Sequence, residues 1–152
     1  MAKLKLSKSA LDVEREPVLT PRFAVALLLI VLGIAWIAYY YAAVRPDEVG
    51  GKYTGISFMA DLKGWNYLIG FVLFFLGLFV AAHPKTPLGR GRGVVVGMLG
   101  CFLIGLIWIC VFYIFSNDQL DKIWVFNDLG QKNLIVGIAF MAVGFAYATR
   151  WE

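Results

Sequence analysis

VVVGMLGCFLIGLIWICVFYIF, residues 94–115, contains no Asp, Glu, Lys, Arg or His. Its 22 residues, at about 1.5 Å per residue, make a helix of roughly 33 Å, enough to cross a hydrocarbon core of about 30 Å. Residues 23–44 read the same way. Two further uncharged blocks, residues 67–82 and 134–149, have 16 residues each and reach only about 24 Å. These shorter helices draw on flanking groups, with Trp65 or Lys132 at one end and His83, or Arg150 and Trp151, at the other. The rest of the chain agrees with a lipid solvent. Of 152 residues 61% are hydrophobic and 16% charged, against about 25% charged in soluble domains. A water-exposed surface cannot be covered from that inventory, and the expectation is an all-α membrane protein with four transmembrane helices.

Lys and Arg are distributed unevenly between the two sides. Lys3, Lys5, Lys8, Arg15 and Arg22 precede the first block, Lys85, Arg90 and Arg92 lie in the central loop, and Arg150 follows the last block, giving nine. The other two loops hold five, namely Arg45, Lys52, Lys63, Lys122 and Lys132. The positive-inside bias puts both termini and the central loop in the cytoplasm. The net charge of +4 is thereby mostly a topology signal, and nucleic-acid binding is not expected, because the basic residues are not interleaved with base-stacking aromatics. The first block starts after 22 mixed residues and exceeds a cleavable signal's apolar core, so it is expected to remain as a helix. Cys101 and Cys110 fall on opposite faces of one helix, about 13.5 Å apart along its axis, and cannot pair with each other.

The block lengths run 22, 16, 22, 16, and the polar residues bounding the short blocks correspond. A shift of 67 residues superposes Asp61 on Asp128, Leu62 on Leu129, Asn66 on Asn133, Gly70 on Gly137 and Gly77 on Gly144. In the long blocks a shift of 72 superposes Gly33 on Gly105, Trp36 on Trp108, Ile37 on Ile109 and Tyr41 on Tyr113. The chain therefore divides into a basic tail (1–22), a two-helix unit (23–83), a Pro/Gly/basic linker (84–93) and a second two-helix unit (94–152). Each unit is a helical hairpin with an even number of spans, so both have the same orientation. Any pseudo-twofold axis between them lies along the membrane normal, as in a dimer made covalent.

Small residues mark the expected contact surfaces. Gly93, Gly97, Cys101 and Gly105 recur every four residues and line one face of the third helix, where another helix can approach closely. That helix belongs either to the bundle itself or to a partner protein. Gly70 and Gly77, like Gly137 and Gly144, support the same reading. Gly33, Trp36 and Tyr40 share a face of the first helix, repeated by Gly105, Trp108 and Phe112 in the third. The Trp pair serves packing or a partner, whereas Tyr39, Tyr40 and Tyr41 fit an aromatic belt at the interface. Trp65, Asn66 and Tyr67 open the second helix, as an interfacial anchor or a contact site. The opening MAKLKLSK sets three lysines near the membrane face, where they attract anionic lipid or form a docking peptide.

Catalysis is not expected. The spans carry no charged residue for an ion- or proton-coupled path, and the sequence offers no nucleophile–base set, metal-ligand spacing or cofactor-binding loop. The single His, His83, sits at a membrane boundary.

The residues resemble the CrgA-type small membrane proteins of actinobacterial cell division, which are typically two-helix proteins with a short basic N-terminus. The similar stretches are FLIGLIW (102–108) and TRWE (149–152) in the second unit, GWNYLIGF (64–71) in the first, and the opening MAKLKLSK. The signatures are split: Lys132, Asn133 and Leu134 replace WNY in the second unit, and His83 and Pro84 replace the terminal Arg-Trp in the first. The resemblance implies a non-enzymatic septal protein, a scaffold or regulator that contacts the cell-division ring protein and the membrane proteins of septal peptidoglycan synthesis. It further implies a plasma-membrane location enriched at the septum. The candidate contact residues are then Gly33, Trp36, Trp65, Asn66, Tyr67, Gly93, Gly97, Cys101, Gly105, Trp108, Gly137, Gly144, Arg150 and Trp151, in a chain that is also able to self-associate. The alternative is a small transporter or channel subunit whose polar path comes from a partner.

Overall fold

The computed structural model describes residues 19–45, 55–115 and 123–150. Within them every regular element is helical. The tail MAKLKLSK and Trp151 lie outside the described residues.

Thr20 and Pro21 start the first helix. The Thr20 side chain accepts from the Phe23 N–H at 3.2 Å, and Pro21 occupies the first turn, where its missing N–H leaves nothing unpaired. Helix α1 (Pro21–Tyr39) then loosens into a π-helical turn over Tyr40–Val44, in which the Arg45 N–H donates to Tyr40 O at 2.8 Å. The chain continues through the short α2 (Ser57–Leu62), α3 (Trp65–Ala81), α4 (Arg92–Phe115), the short α5 (Trp124–Leu129), a 3₁₀ turn (Gly130–Lys132) and α6 (Asn133–Ala148).

Three segments are long and apolar enough to cross a membrane: Pro21–Val44, Arg92–Phe115 and Val125–Ala148. The last includes α5 and the corner at Gly130. Helix α3 is apolar throughout but has 17 residues, about 26 Å, so where the sequence reading has four spans, two of them short, the described residues give three and a shorter apolar helix. The structure also adds α2 and α5, unforeseen in the loops that follow α1 and α4. They obey the 67-residue shift at both ends, Ser57 to Trp124 and Leu62 to Leu129.

Helices α1 and α3 pack antiparallel along their length, as do α4 and α6, giving two hairpins. The hairpins meet chiefly through α3 and α6, which run in the same direction, as two units of equal orientation require. They do not meet through equivalent faces. Phe75 packs on Phe140 with ring centroids 4.9 Å apart, and Phe71 packs on Trp108 at 6.1 Å. A twofold exchange would demand the mirrored contacts Ala142 with Leu73 and Ile138 with Trp36. Ala142 and Ile138 are exposed instead. The duplicated hairpins are therefore joined face to flank, not as the two halves of an isologous dimer.

Candidate functional site

Each hairpin closes on a glycine crossing in which backbone meets backbone. A Cβ on Gly33 would stand 2.6 Å from Gly70 O and 2.7 Å from Phe74 N. A Cβ on Gly105 would stand 2.8 Å from Gly137 O. The reciprocal positions agree, because Gly70 faces the Ile37 side chain and Gly137 faces Ile109. Without a hydrophobic drive between helices in lipid, this close approach is what supplies van der Waals packing. Farther along, Gly77 lies against Ile30 and the Ala26 carbonyl, and Gly144 against Phe102 and the Met98 carbonyl, again at shifts of 67 and 72.

The small-residue stripe of α4 faces its own unit. Gly93 meets the carbonyl of Pro87 in the linker, Gly97 meets the ring of Tyr147, Cys101 is buried, and Gly105 forms the crossing. Of the two alternatives for this stripe, contact within the bundle is the one that the packing fills. Cys110 is exposed on the other side of the helix.

The ends of the short helices repeat as well. Asn66 is fully buried, and its Nδ2 donates to Met59 O at 2.6 Å and Lys63 O at 2.8 Å. Asn133 is equally buried and donates to Phe126 O and Gly130 O, both at 2.8 Å. Each Asn ties the six-residue helix before it to the longer helix it opens by capturing carbonyls left over at a helix end. The corner residue between them has positive φ in both units, +46° at Lys63 and +49° at Gly130. The Oδ1 atoms of both Asn and the Nε1 atoms of Trp36 and Trp108 are buried without a hydrogen-bond partner, so even the unsatisfied groups come in equivalent pairs. Trp65, by contrast, is exposed. It stands at the rim of a cleft of about 840 Å³ between α3 and α6, lined by Tyr67, Leu68, Phe71, Asp128, Ile135 and neighbouring residues.

Tyr67 does not repeat. Its hydroxyl donates to Asp128 Oδ2 across the joint, and Arg45 Nη2 pairs with Asp128 Oδ1 at 2.9 Å. Arg45 also lies over the Tyr41 ring, 4.9 Å from its centroid. Two residues of the first hairpin thus clasp one carboxylate of the second. The tyrosine half of a reverse clasp cannot form, because the residue equivalent to Tyr67 is Leu134, which has no hydroxyl. Tyr40, expected in an aromatic belt, is buried instead, edge-on to Tyr67 with centroids 5.1 Å apart. It shares the Gly33 face of α1, the face that packs on α3.

The opposite end is built on the linker. Thr86 is fully buried, and its hydroxyl donates to carbonyls at the end of α3, including His83 O at 2.7 Å. It accepts from the Gly89 N–H at 3.1 Å. The linker is therefore a folded corner. Arg22 Nη1 lies 3.3 Å from His83 Nε2, and the Lys85 N–H lies 3.1 Å from Nδ1. Desolvation, then the charges of Arg22, Arg150 and Lys85, lower the His83 pKa below its ordinary 6.5. Arg150 is exposed at this end. Sequence reasoning counted Arg45 only as a loop charge, did not single out Thr86, and noted Asp128 only as a repeat match.

Comparison with known proteins follows the same division. The family model described as Cell division protein CrgA matches twice, over residues 4–85 and over residues 82–152. The cell division protein CrgA of Streptomyces avermitilis is 40% identical over 68 residues, 45% of this chain and 75% of the relative. Those of two Mycobacterium strains, KMS and JLS, are each 30% identical over 81 residues, 48% of this chain and 86% of the relative. No solved structure matches. The two family matches meet at the folded linker between the hairpins, and this chain belongs to the CrgA family of cell division proteins, carrying the family's unit twice.

Proposed function

We propose that the chain is a non-enzymatic cell-division protein of the plasma membrane, a scaffold or regulator that coordinates the septal machinery through helix contacts and its tail. The observation that carries this reading is the double family match, one for each hairpin. In the proposed topology α3 spans together with α1, α4 and α6, both termini and the linker are cytoplasmic, and the units are those bounded at residues 23–83 and 94–152. Two features support a fourth span: α3 pairs with α1 along its length as α6 pairs with α4, and short apolar helices can be accommodated by local thinning or snorkelling.

With the glycine stripe covered by α6, surfaces on the outside of the hairpins remain for partners. They include Trp65 beside its cleft and the exposed apolar flanks of α1 and α4. The partners proposed are the cell-division ring protein, reached through the tail, and the membrane proteins of septal peptidoglycan synthesis, reached within the bilayer, with self-association as a further use of the same flanks.

The test is localisation of the intact chain, fused to a fluorescent protein, in dividing cells. Enrichment at septa is expected. Uniform membrane fluorescence, or solute flux through liposomes containing only this chain, would favour the transporter alternative. For topology, single cysteines near Lys52 and Gln119 should react with an impermeant thiol reagent in whole cells, and cysteines at Ser7 and Lys85 should not. Thr86 is unsuitable for this purpose because it is buried.

A further inference from the structure

Among the described residues, four buried side-chain atoms find no hydrogen-bond partner in the protein: Oδ1 of Asn66 and Asn133, and Nε1 of Trp36 and Trp108. The amide oxygens are acceptors and the indole N–H groups are donors, so each hairpin has one of either kind. The match does not come from a single local repeat, because the Trp pair follows the 72-residue shift and the Asn pair the 67-residue shift. Inside an apolar bundle, where bulk water cannot stand in, an unmet donor or acceptor is costly.

The donor and the acceptor of a hairpin are gathered around one residue. Asn133 Nδ2 donates to Phe126 O at 2.8 Å, while the Trp108 ring stacks on the Phe126 ring with centroids 4.4 Å apart. In the first hairpin Asn66 Nδ2 donates to Met59 O at 2.6 Å, and Trp36 packs against the cluster to which Met59 belongs. Neither kind of side chain turns freely toward the other. Each Nδ2 is held by two carbonyls, and exchanging the O and N of the amide would set Oδ1 against those same oxygens. The Trp108 ring is held by Phe126 on its face and by Phe71 in a perpendicular contact at 6.1 Å. A group that satisfies both must donate to one atom and accept from the other. Water does so, and a buried water commonly serves two to four such atoms.

We propose that each hairpin holds one structural water that donates to the Asn Oδ1 and accepts from the Trp Nε1–H. It ties the long helix, α1 or α4, to the corner that opens α3 or α6. The two sites depend on the fold of the hairpins and are independent of any role in division.

The experiment uses the full chain in detergent micelles with the indole nitrogens of its five tryptophans isotopically labelled for nuclear magnetic resonance. The N–H signals, assigned through single Trp→Phe variants, are read for magnetisation transfer from water and for exchange with deuterium oxide. Trp36 and Trp108 should each show a cross-peak to water with the sign of a water that tumbles with the protein. They should also exchange at least about a hundredfold more slowly than the exposed Trp65. Asn66→Ala should abolish the water peak at Trp36 and leave the one at Trp108, and Asn133→Ala should do the reverse. If an alanine variant does not fold, the water peaks of the unaltered chain decide. Their absence at both buried indoles would overturn the proposal. A peak at Trp36 that survives Asn66→Ala in full would overturn the bridge, and a hydrogen-bonded indole without a water peak would replace the water with a direct bond from Trp to Asn.

Discussion

The first and second hairpins agree where their own helices cross and disagree where they touch each other. Gly33 over Gly70 and Gly105 over Gly137 are the same crossing made twice, and Asn66 and Asn133 capture carbonyls at the same offsets. The joint breaks the correspondence. Tyr67 and Arg45 reach Asp128, while Leu134, at the position equivalent to Tyr67, has no hydroxyl to offer Asp61, and α3 and α6 present different faces. Within a hairpin, a backbone atom at the site of a missing Cβ leaves no room for change. Between hairpins, ordinary side-chain contacts allow many solutions, and a fused pair can make its two copies complementary instead of identical.

The strongest way to break this comparison is to fill the crossings. Gly33→Leu and Gly105→Leu should each cost about 3 kcal/mol, the upper range for overpacking, because the opposing atoms are backbone and cannot rotate away. Gly100→Leu should cost little, since nothing lies within 4 Å of its Cβ position. Unfolding in mixed micelles, followed by circular dichroism, measures all three, and equal losses at Gly100 and Gly105 would dismiss the crossings as determinants. The clasp comes next. Asp128→Asn should cost about 2 kcal/mol, as it weakens two charge-assisted bonds at a carboxylate whose side chain is 17% exposed. The equivalent Asp61→Asn should stay within about 0.5 kcal/mol. A double-mutant cycle of Tyr67→Phe with Asp128→Asn should reveal coupling, and strict additivity would show that the clasp does not form.

Smaller effects sharpen the comparison at the corners. Lys63 holds a positive φ that glycine occupies in the second unit. Lys63→Gly should gain about 1 kcal/mol and Gly130→Ala should lose about 1 kcal/mol in thermal melts; the same sign for both would mean that the corners are not equivalent. The smallest effect belongs to His83. A neutral ring can accept from only one of Arg22 and the Lys85 N–H, and a protonated ring from neither. With its folded pKa below 6.5, the unfolded chain binds the extra proton first, so the His83 contribution is intact above about 6.5 and declines as pH falls toward the folded value. His83→Gln should flatten that part of the stability–pH curve, and an unchanged slope would assign it to another group.

The hairpins and the repeat could be read from the sequence because the period of the helix and the solvent requirement of lipid act on local stretches. The same 67-residue shift already reached Asp61/Asp128 and Leu62/Leu129, which proved to be the ends of α2 and α5. Six-residue helices carry too few turns for a periodic signal, so the match appeared there without its structure. The clasp could not be read at all. Arg45, Tyr67 and Asp128 come from three separate segments, and only the flank-on meeting of the hairpins brings them together. Tyr40 looked like its belt neighbours Tyr39 and Tyr41, but its seven-residue spacing from Gly33 set it on the face that α3 covers.

We propose that the two family units act as one complementary pair at the division site. This reading is tested most directly by the septal fluorescence of the intact chain beside residues 1–91, residues 92–152 and the two co-expressed, with the cut placed after Gly91, where φ is positive and no atom crowds the Cβ position. The intact chain should concentrate at septa, each half should reach the membrane with little septal enrichment, and co-expression should restore part of it through the α3–α6 joint and the clasp. Full enrichment of the first half alone, or none for the intact chain, would contradict the account.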